Sequence, residues 1–353
     1  MTILFAILIF SLLIFVHELG HFVAAKLSGV RVNEFAMFMG PAIFKKQVGE
    51  TLYSLRTIPI GGYCAMVGEN EDTDDPRSFQ KAAWWKRLII LVAGAFMNLL
   101  AGIVIFMCLF LPEKALVEPQ IVEFTDCCIF NHQDGLQVGD EILELDGEKI
   151  YTNPNISMIL SLNPTVEHDV TVLREGKKLT FDNLKMAHTH LDENGKEYLH
   201  YGFGYGQVKQ ANFLEKMDYV RRITFDNVRS VRLSLQMLLS GQAGLSDMTG
   251  PVGIVQIMND TAQEAESTND AIRNILYIGG FLAINLAVMN MLPIPALDGG
   301  RVVGLLLTVI IEKITRKKLD AKYEGYIHGI GMILLLILMG VILFKDIFVI
   351  FKR

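Results

Sequence analysis

Ser11-Leu-Leu-Ile-Phe-Val-His17-Glu18-Leu-Gly-His21-Phe-Val-Ala-Ala25 sets three ionisable side chains inside an apolar run long enough to cross a bilayer. On a helix, His17 and His21 stand one above the other at i and i+4, and Glu18 between them reaches the same small volume. This is the H-E-x-x-H pattern: two imidazole ligands for zinc and a carboxylate placed to handle the proton of a water. Membrane depth sharpens the reading, because a charged residue there costs on the order of 2.5–3.5 kcal/mol unless it faces protein, water or metal. A pair of satisfied core histidines with a chance glutamate would leave the Glu18 carboxylate without a partner.

The rest of the chain agrees with a membrane setting. Its 353 residues are 51% hydrophobic with mean hydropathy +0.36, too apolar for an ordinary soluble enzyme, with room for a membrane part and one modest soluble domain. Four segments, 3–27, 88–111, 275–291 and 327–348, approach the roughly 20 residues a bilayer needs. The first has neither a positive leader nor a small-residue cleavage site before Lys26, so it is expected to stay as a helix. Lys and Arg crowd the first connection (Arg31, Lys45, Lys46, Arg56, Arg77, Lys81, Lys86, Arg87) and the last (Arg301, Lys313, Arg316, Lys317, Lys318, Lys322). The positive-inside rule puts both in the cytoplasm, and both termini and residues 112–274 on the other side. Cys64, Cys108 and the adjacent Cys127 and Cys128 lack metal or thioredoxin spacing and read as free thiols, with a vicinal disulfide open only to an oxidising exterior.

The expected architecture is a polytopic α-helical membrane protein with four transmembrane helices, an inserted mostly-β domain and membrane-associated β-hairpins. Residues 1–111 hold helices one and two. Between them, 30–44 and 51–67 alternate apolar and β-branched residues, broken at Gly40-Pro41 and Pro59-Ile60-Gly61-Gly62, and predict two short hairpins buried or at the interface. Trp84-Trp85-Lys86-Arg87 is an interfacial anchor. Residues 120–208 read as a β domain with turns at Asp134-Gly135, Asp146-Gly147, Glu175-Gly176 and Glu193-Asn-Gly195. Residues 209–250 hold an amphipathic linker helix, whose Arg221, Arg222, Arg229 and Arg232 predict the membrane surface over packing on the soluble domain. Residues 251–353 carry helices three and four behind a chain-breaking Thr249-Gly250-Pro251-Val252-Gly253-Ile254.

A catalytic zinc takes three protein ligands and keeps one open position, so two histidines are incomplete. The candidate third ligand is Asp298 in Asn290-Met-Leu-Pro293-Ile-Pro295-Ala-Leu-Asp298-Gly299-Gly300, where two prolines end the third span. Asp298 alone could equally cap the following helix. Pairing a lone acid with an incomplete metal site favours the ligand.

His17-Glu18-Leu-Gly-His21, Asn290-x-x-Pro293-x-Pro295-x-Leu-Asp298-Gly299 and the 249–254 motif together resemble the bacterial site-2 proteases of the RseP/RasP type, over essentially the whole chain. The string Gly135-Leu136-x-x-Gly139-Asp140-x-Ile142 with Gly147 resembles a PDZ module, although the approach to it, Cys127 to Asp134, departs from the usual small-residue pattern. The resemblance implies a Zn²⁺-dependent intramembrane endopeptidase of the bacterial inner membrane. His17, His21 and Asp298 would hold the metal, Glu18 would be the base, and Asn290 would support the oxyanion. The active site would lie toward the cytoplasm and the PDZ-like domain outside, as a size gate or docking site. Its expected partners are the lipid bilayer and a transmembrane-helix protein substrate of anti-sigma-factor type or a remnant signal peptide, with no nucleic acid. A transporter would also carry intramembrane His, Glu and Asp, but no internal repeat is visible. A non-catalytic PDZ adaptor has no use for Glu18.

Overall fold

The first apolar run folds as one continuous helix, α1 (Thr2–Ser28), stopped by Gly29 at φ 79°, the left-handed geometry that favours glycine after a helix. This is seen in a computed structural model of the chain, which describes residues 2–69, 73–125, 135–191, 197–244, 247–316 and 321–352. Cys127, Cys128, Asp134 and the turn at 193–195 lie outside the described residues. The chain forms two compact units, Met1–Phe106 with Ala243–Arg353, and Met107–Gln242.

After α1 come strands β1 (Val32–Val48) and β2 (Thr51–Met66) and helix α2 (Trp84–Phe110). The inserted unit holds β3 (Ala115–Phe124), β4 (Glu141–Leu145), β5 (Glu148–Lys149), α3 (Asn153–Leu162), β6 (Glu167–Arg174), β7 (Lys177–Lys185), β8 (His188–Leu191), β9 (Glu197–His200), β10 (Phe203–Gln210) and α4 (Phe213–Ser240). The first unit resumes with α5 (Pro251–Gln263), α6 (Thr268–Asn290), α7 (Asp298–Thr315) and α8 (Ala321–Lys352). Among the described residues four helical stretches are long and apolar enough to cross a membrane: Ile3–Ser28, Trp84–Phe110, Thr268–Asn290 and Gly325–Phe348. The third helix starts seven residues before the expected 275, because Ser267 caps it by accepting the Asp270 N–H at 3.2 Å and its polar first turn escapes a hydropathy reading.

Small residues bring the membrane helices together. A Cβ on Gly20 of α1 would stand 2.4 Å from the Ala93 carbonyl oxygen of α2, and one on Gly102 of α2 would stand 2.6 Å from Ile284 of α6. Backbones approach this closely only where the side chain is a hydrogen. Phe35, Ile90, Leu91, Ala25 and Leu305 form a buried core where α1, the strands, α2 and α7 meet. Along α8, Ile330, Ile333, Leu334 and Ile337 are exposed, as a lipid-facing helix requires.

The two expected hairpins are instead one doubly paired sheet. Phe35 of β1 pairs with Tyr53 on one side and with Cys64 on the other, while the far half of β1 turns back so that Lys45 pairs with Ser54. The glycines and prolines that read as breaks are bends within the strands: Phe38, Gly40 and Gly61 all take positive φ, between 71° and 86°. The Gly62–Met66 stretch is an outer strand of this sheet, with a strand partner on one side only among the described residues.

In the inserted unit the main sheet runs β10-β3-β4-β6-β7, with β5 beside β4. Asp146-Gly147 and Glu175-Gly176 turn with positive φ at both residues, the geometry whose twist suits a two-residue hairpin. Ile121, Ile142, Ile156, Val170, Met186 and Leu233 pack into its core. Leu233 belongs to α4, so this helix packs on the core of the inserted unit. Arg222 donates to both carboxylate oxygens of Glu118 at 2.7 and 2.8 Å and to the Tyr151 carbonyl at 3.1 Å, Arg229 donates to Asn155 Oδ1 at 2.5 Å, and Arg232 pairs with Glu148 at 2.6 Å. Three of the arginines read as headgroup partners thus join α4 to the domain, while Arg221 pairs with Asp218 on the helix itself. Similarly, Pro251 does not break the chain but begins α5, at the one helical position where its missing N–H and fixed φ cost nothing. The α5 N-terminus is capped from α8, whose Asp346 carboxylate accepts the Gly253 N–H at 3.0 Å.

Candidate metal centre

One turn of α1 presents His17 and His21 on the same side, with ring centroids 4.8 Å apart. The space they need comes from Gly94 of α2, where a Cβ would stand 2.3 Å from His21 Nε2. Behind the ring, His21 Nδ1 donates to the Ile90 carbonyl at 2.8 Å. A neutral imidazole has one N–H, so this bond leaves the Nε2 lone pair facing inward.

Asp298 arrives from the other end of the chain as the first residue of α7. The N-cap position belongs to Leu297, and no side chain caps the helix. The preceding turn doubles back so tightly that a Cβ on Gly299 would stand 2.3 Å from the Leu292 carbonyl oxygen and one on Gly300 2.3 Å from that of Ile294. Ala296 in that turn takes φ 81° and donates its N–H to His328 Nδ1 of α8 at 3.1 Å. The turn thus aims the Asp298 carboxylate at the histidines.

Asp298 Oδ2 lies 3.1 Å from His17 Nε2 and 3.2 Å from His21 Nε2, and the two Nε2 atoms are 3.2 Å apart. Among the described residues this is the one group of three or more ligand-type side chains so gathered. Asp298 Oδ2 is buried without a hydrogen bond despite these two nitrogens. Ligands at roughly 2.0–2.1 Å from a tetrahedral zinc stand about 3.3 Å from one another. A near-equilateral triangle of lone-pair atoms with sides of 3.1–3.2 Å, and an acceptor with no proton directed at it, fits that ion.

The triangle borders a cavity of about 810 Å³ lined also by Glu18, Tyr63, Cys64, Ala65, Met66 and Arg301. The outer strand of the sheet is thus one wall. Gly62 permits the approach, since a Cβ there would stand 3.1 Å from the Ala36 carbonyl oxygen and 3.4 Å from Glu18 Cγ. Arg301 of α7 pairs with Glu69 at the cavity margin. Asn290 does not line the cavity: its Nδ2 lies 3.4 Å from His17 Nδ1, on the opposite edge of the ring from Asp298. Sequence reasoning missed Gly94 and Asn98. Asn98 is the only amide in the second span, and the rule that marked the first span's polar residues applied to it too.

Peptidase family M50 matches residues 5–338. A Clostridium perfringens protein named as a zinc metalloprotease is 36% identical over 348 residues, 98% of each chain. A similarly named Fusobacterium nucleatum protein is 34% identical over 363 residues, covering all of both. The regulator of sigma-W protease RasP of Bacillus subtilis is 28% identical over 428 residues, 98% of each chain. With helices fit to cross a bilayer and a triangle of side chains fit for zinc, the chain belongs to peptidase family M50, the site-2 proteases, and is a membrane zinc metalloprotease.

Proposed function

We propose that this protein cleaves transmembrane segments of single-span membrane proteins, with His17, His21 and Asp298 as zinc ligands and Glu18 as the general base. The observation that carries this reading is the convergence of those three side chains beside Glu18 and next to a sheet edge. Bound zinc supplies Lewis acidity, acidifying water and polarising the scissile carbonyl. Glu18 takes the proton of the attacking water and passes it to the leaving nitrogen. A helical substrate has its carbonyls locked in its own hydrogen bonds, so a segment must unwind before attack. The outer strand Gly62–Met66 accepts the unwound segment as an added strand and satisfies its backbone away from water. Asn290 is assigned oxyanion support by family likeness alone.

The Lys and Arg distribution supports a topology with the first and last connections in the cytoplasm, the catalytic cavity toward that side and the inserted unit outside. That unit acts as the PDZ-like module that screens substrates; its groove of about 950 Å³ between α3 and the β8–β10 region, lined by Leu160, Thr189, Tyr198 and Tyr205, supports the reading. The likeness to RasP points to an anti-sigma factor as substrate, already trimmed on the outer side. Glu18→Gln tests the core of the proposal. The variant keeps its zinc, loses cleavage of a single-span substrate by about 10²–10⁴-fold, and accumulates the uncut fragment in the membrane proteome. Wild-type cleavage by Glu18→Gln refutes it.

A further inference from the structure

Helix α2 meets the two histidines with three successive turns. Ile90 offers its carbonyl to His21, Gly94 offers empty space, and Asn98 offers an amide to His17. The Asn98 side chain is wholly buried, at 1% exposure, with Nδ2 3.4 Å from His17 Nδ1 and Oδ1 without any hydrogen bond. Asn290 brings a second Nδ2 to the same Nδ1, also at 3.4 Å.

A ring nitrogen has one hydrogen-bonding direction, so one of these amides is its partner and the other is not. The proton count decides how that partner must act. If Nδ1 accepted from an amide N–H, the single proton of the neutral ring would sit on Nε2, inside the triangle with His21 Nε2 and Asp298 Oδ2, and would block coordination. For Nε2 to present a lone pair, Nδ1 must carry the proton and give it to an oxygen. Turning the Asn98 amide over brings Oδ1 to the place of Nδ2 and supplies that oxygen. The same turn gives the buried Oδ1 a hydrogen bond and carries Nδ2 to the position that Oδ1 leaves. Asn290 has no orphaned oxygen to satisfy and is less buried, at the last residue of α6.

We infer that Asn98 is a positioning residue of the metal centre: its Oδ1 accepts from His17 Nδ1–H and fixes the tautomer that leaves Nε2 free to bind the metal, while Asn290 is released from the ring. His17 and His21 are then held alike, each by an oxygen of α2, the first from a side chain and the second from the backbone. The inference rests on the zinc reading above, and the experiment separates the two.

The full chain in detergent micelles, loaded with zinc, is titrated with graded chelator, and the visible spectrum of its cobalt-substituted form is recorded. The variants are Asn98→Leu, which keeps volume and loses the acceptor, Asn98→Asp, which keeps the acceptor and cannot donate, Asn290→Leu and His21→Ala. Asn98→Leu is expected to lose about 10–100-fold in zinc affinity with a shifted cobalt spectrum, the range seen when such outer partners are removed. Asn98→Asp holds zinc at least as tightly as wild type, Asn290→Leu keeps near-normal zinc affinity whatever it loses in cleavage, and His21→Ala loses the metal. Zinc retained by His21→Ala overturns the metal centre itself. Zinc lost by His21→Ala but held normally by Asn98→Leu, or weakened equally by Asn290→Leu, overturns the role of Asn98 alone. Should Asn98→Leu fail to fold, Asn98→Asp decides, because weaker zinc binding there means that Asn98 donates.

Discussion

Gly94→Ala adds one methyl group at the point where α2 passes the histidines. Its carbon would stand 2.3 Å from His21 Nε2 and 2.8 Å from His17 Cε1. Non-bonded heavy atoms prefer roughly 3.5 Å, so the overlap is about 1 Å. The His21 ring cannot yield without giving up its bond to the Ile90 carbonyl. Helix propensity gains about 1 kcal/mol from Gly to Ala, and overpacking costs about 1–3 kcal/mol, so global stability changes little. The site fares worse, because a displacement near 1 Å in a reacting constellation costs about 10²-fold, or about 2.7 kcal/mol. Gly102→Ala is the comparison: it meets the Ile284 side chain and the Gly280 carbonyl oxygen of α6, away from the ligands. Zinc per purified chain, cleavage of a single-span substrate and unfolding temperature are measured on both. The expected result is that Gly94→Ala loses zinc and about 10²-fold in cleavage with near-normal stability, whereas Gly102→Ala keeps zinc. A fully zinc-loaded, fully active Gly94→Ala enzyme refutes the reasoning.

Burial pushes the Asp226 carboxyl up to about 6, against the pull of its bonds from Thr152 and Arg229. Between roughly pH 4 and 6 the folded state then holds a proton that the unfolded chain has released, so this group's stabilisation is present at pH 4 and lost as pH rises through 6, by at most about 3 kcal/mol. Hydrogen exchange of Met107–Gln242 in the full chain should show that loss in wild type and a flatter profile in Asp226→Asn; parallel profiles count against it. Asp346→Leu removes the cap on α5, exposing the Gly253 N–H to an apolar neighbour at a cost of about 1–2 kcal/mol. It should lower the unfolding temperature by a few degrees and leave zinc content intact, and an unchanged melting curve would argue that the cap is idle.

What the sequence revealed and what it hid have physical reasons. His17, Glu18, His21 and Asp298 stood out because charge at membrane depth is costly, and the cost marks a purpose. Asn98 lies at the same depth but is uncharged, so the hydropathy of its span absorbed it. Gly20 and Gly94 have no side chain to pattern, and their meaning lies in what a Cβ would strike on another helix. The arginines of α4 looked like lipid partners because the carboxylate that takes Arg222, Glu118, is 104 residues away in sequence. Proline misled twice, at Pro251 and at Pro59, because it both ends elements and begins or bends them. The double pairing of β1 escaped notice for a related reason: periodicity shows which face of a strand is buried, but not how many neighbours it has.

The ligand triangle has a further consequence, in time rather than space. Between His21 and Asp298 lies most of the chain, including the whole inserted unit. A nascent chain that has completed α1, α2 and that unit still has only two imidazoles to offer. On the proposed ligand set, the protease cannot be armed until α7 has been made and folded against α1. Synthesis order then leaves a chain that lacks α7 with an incomplete ligand set.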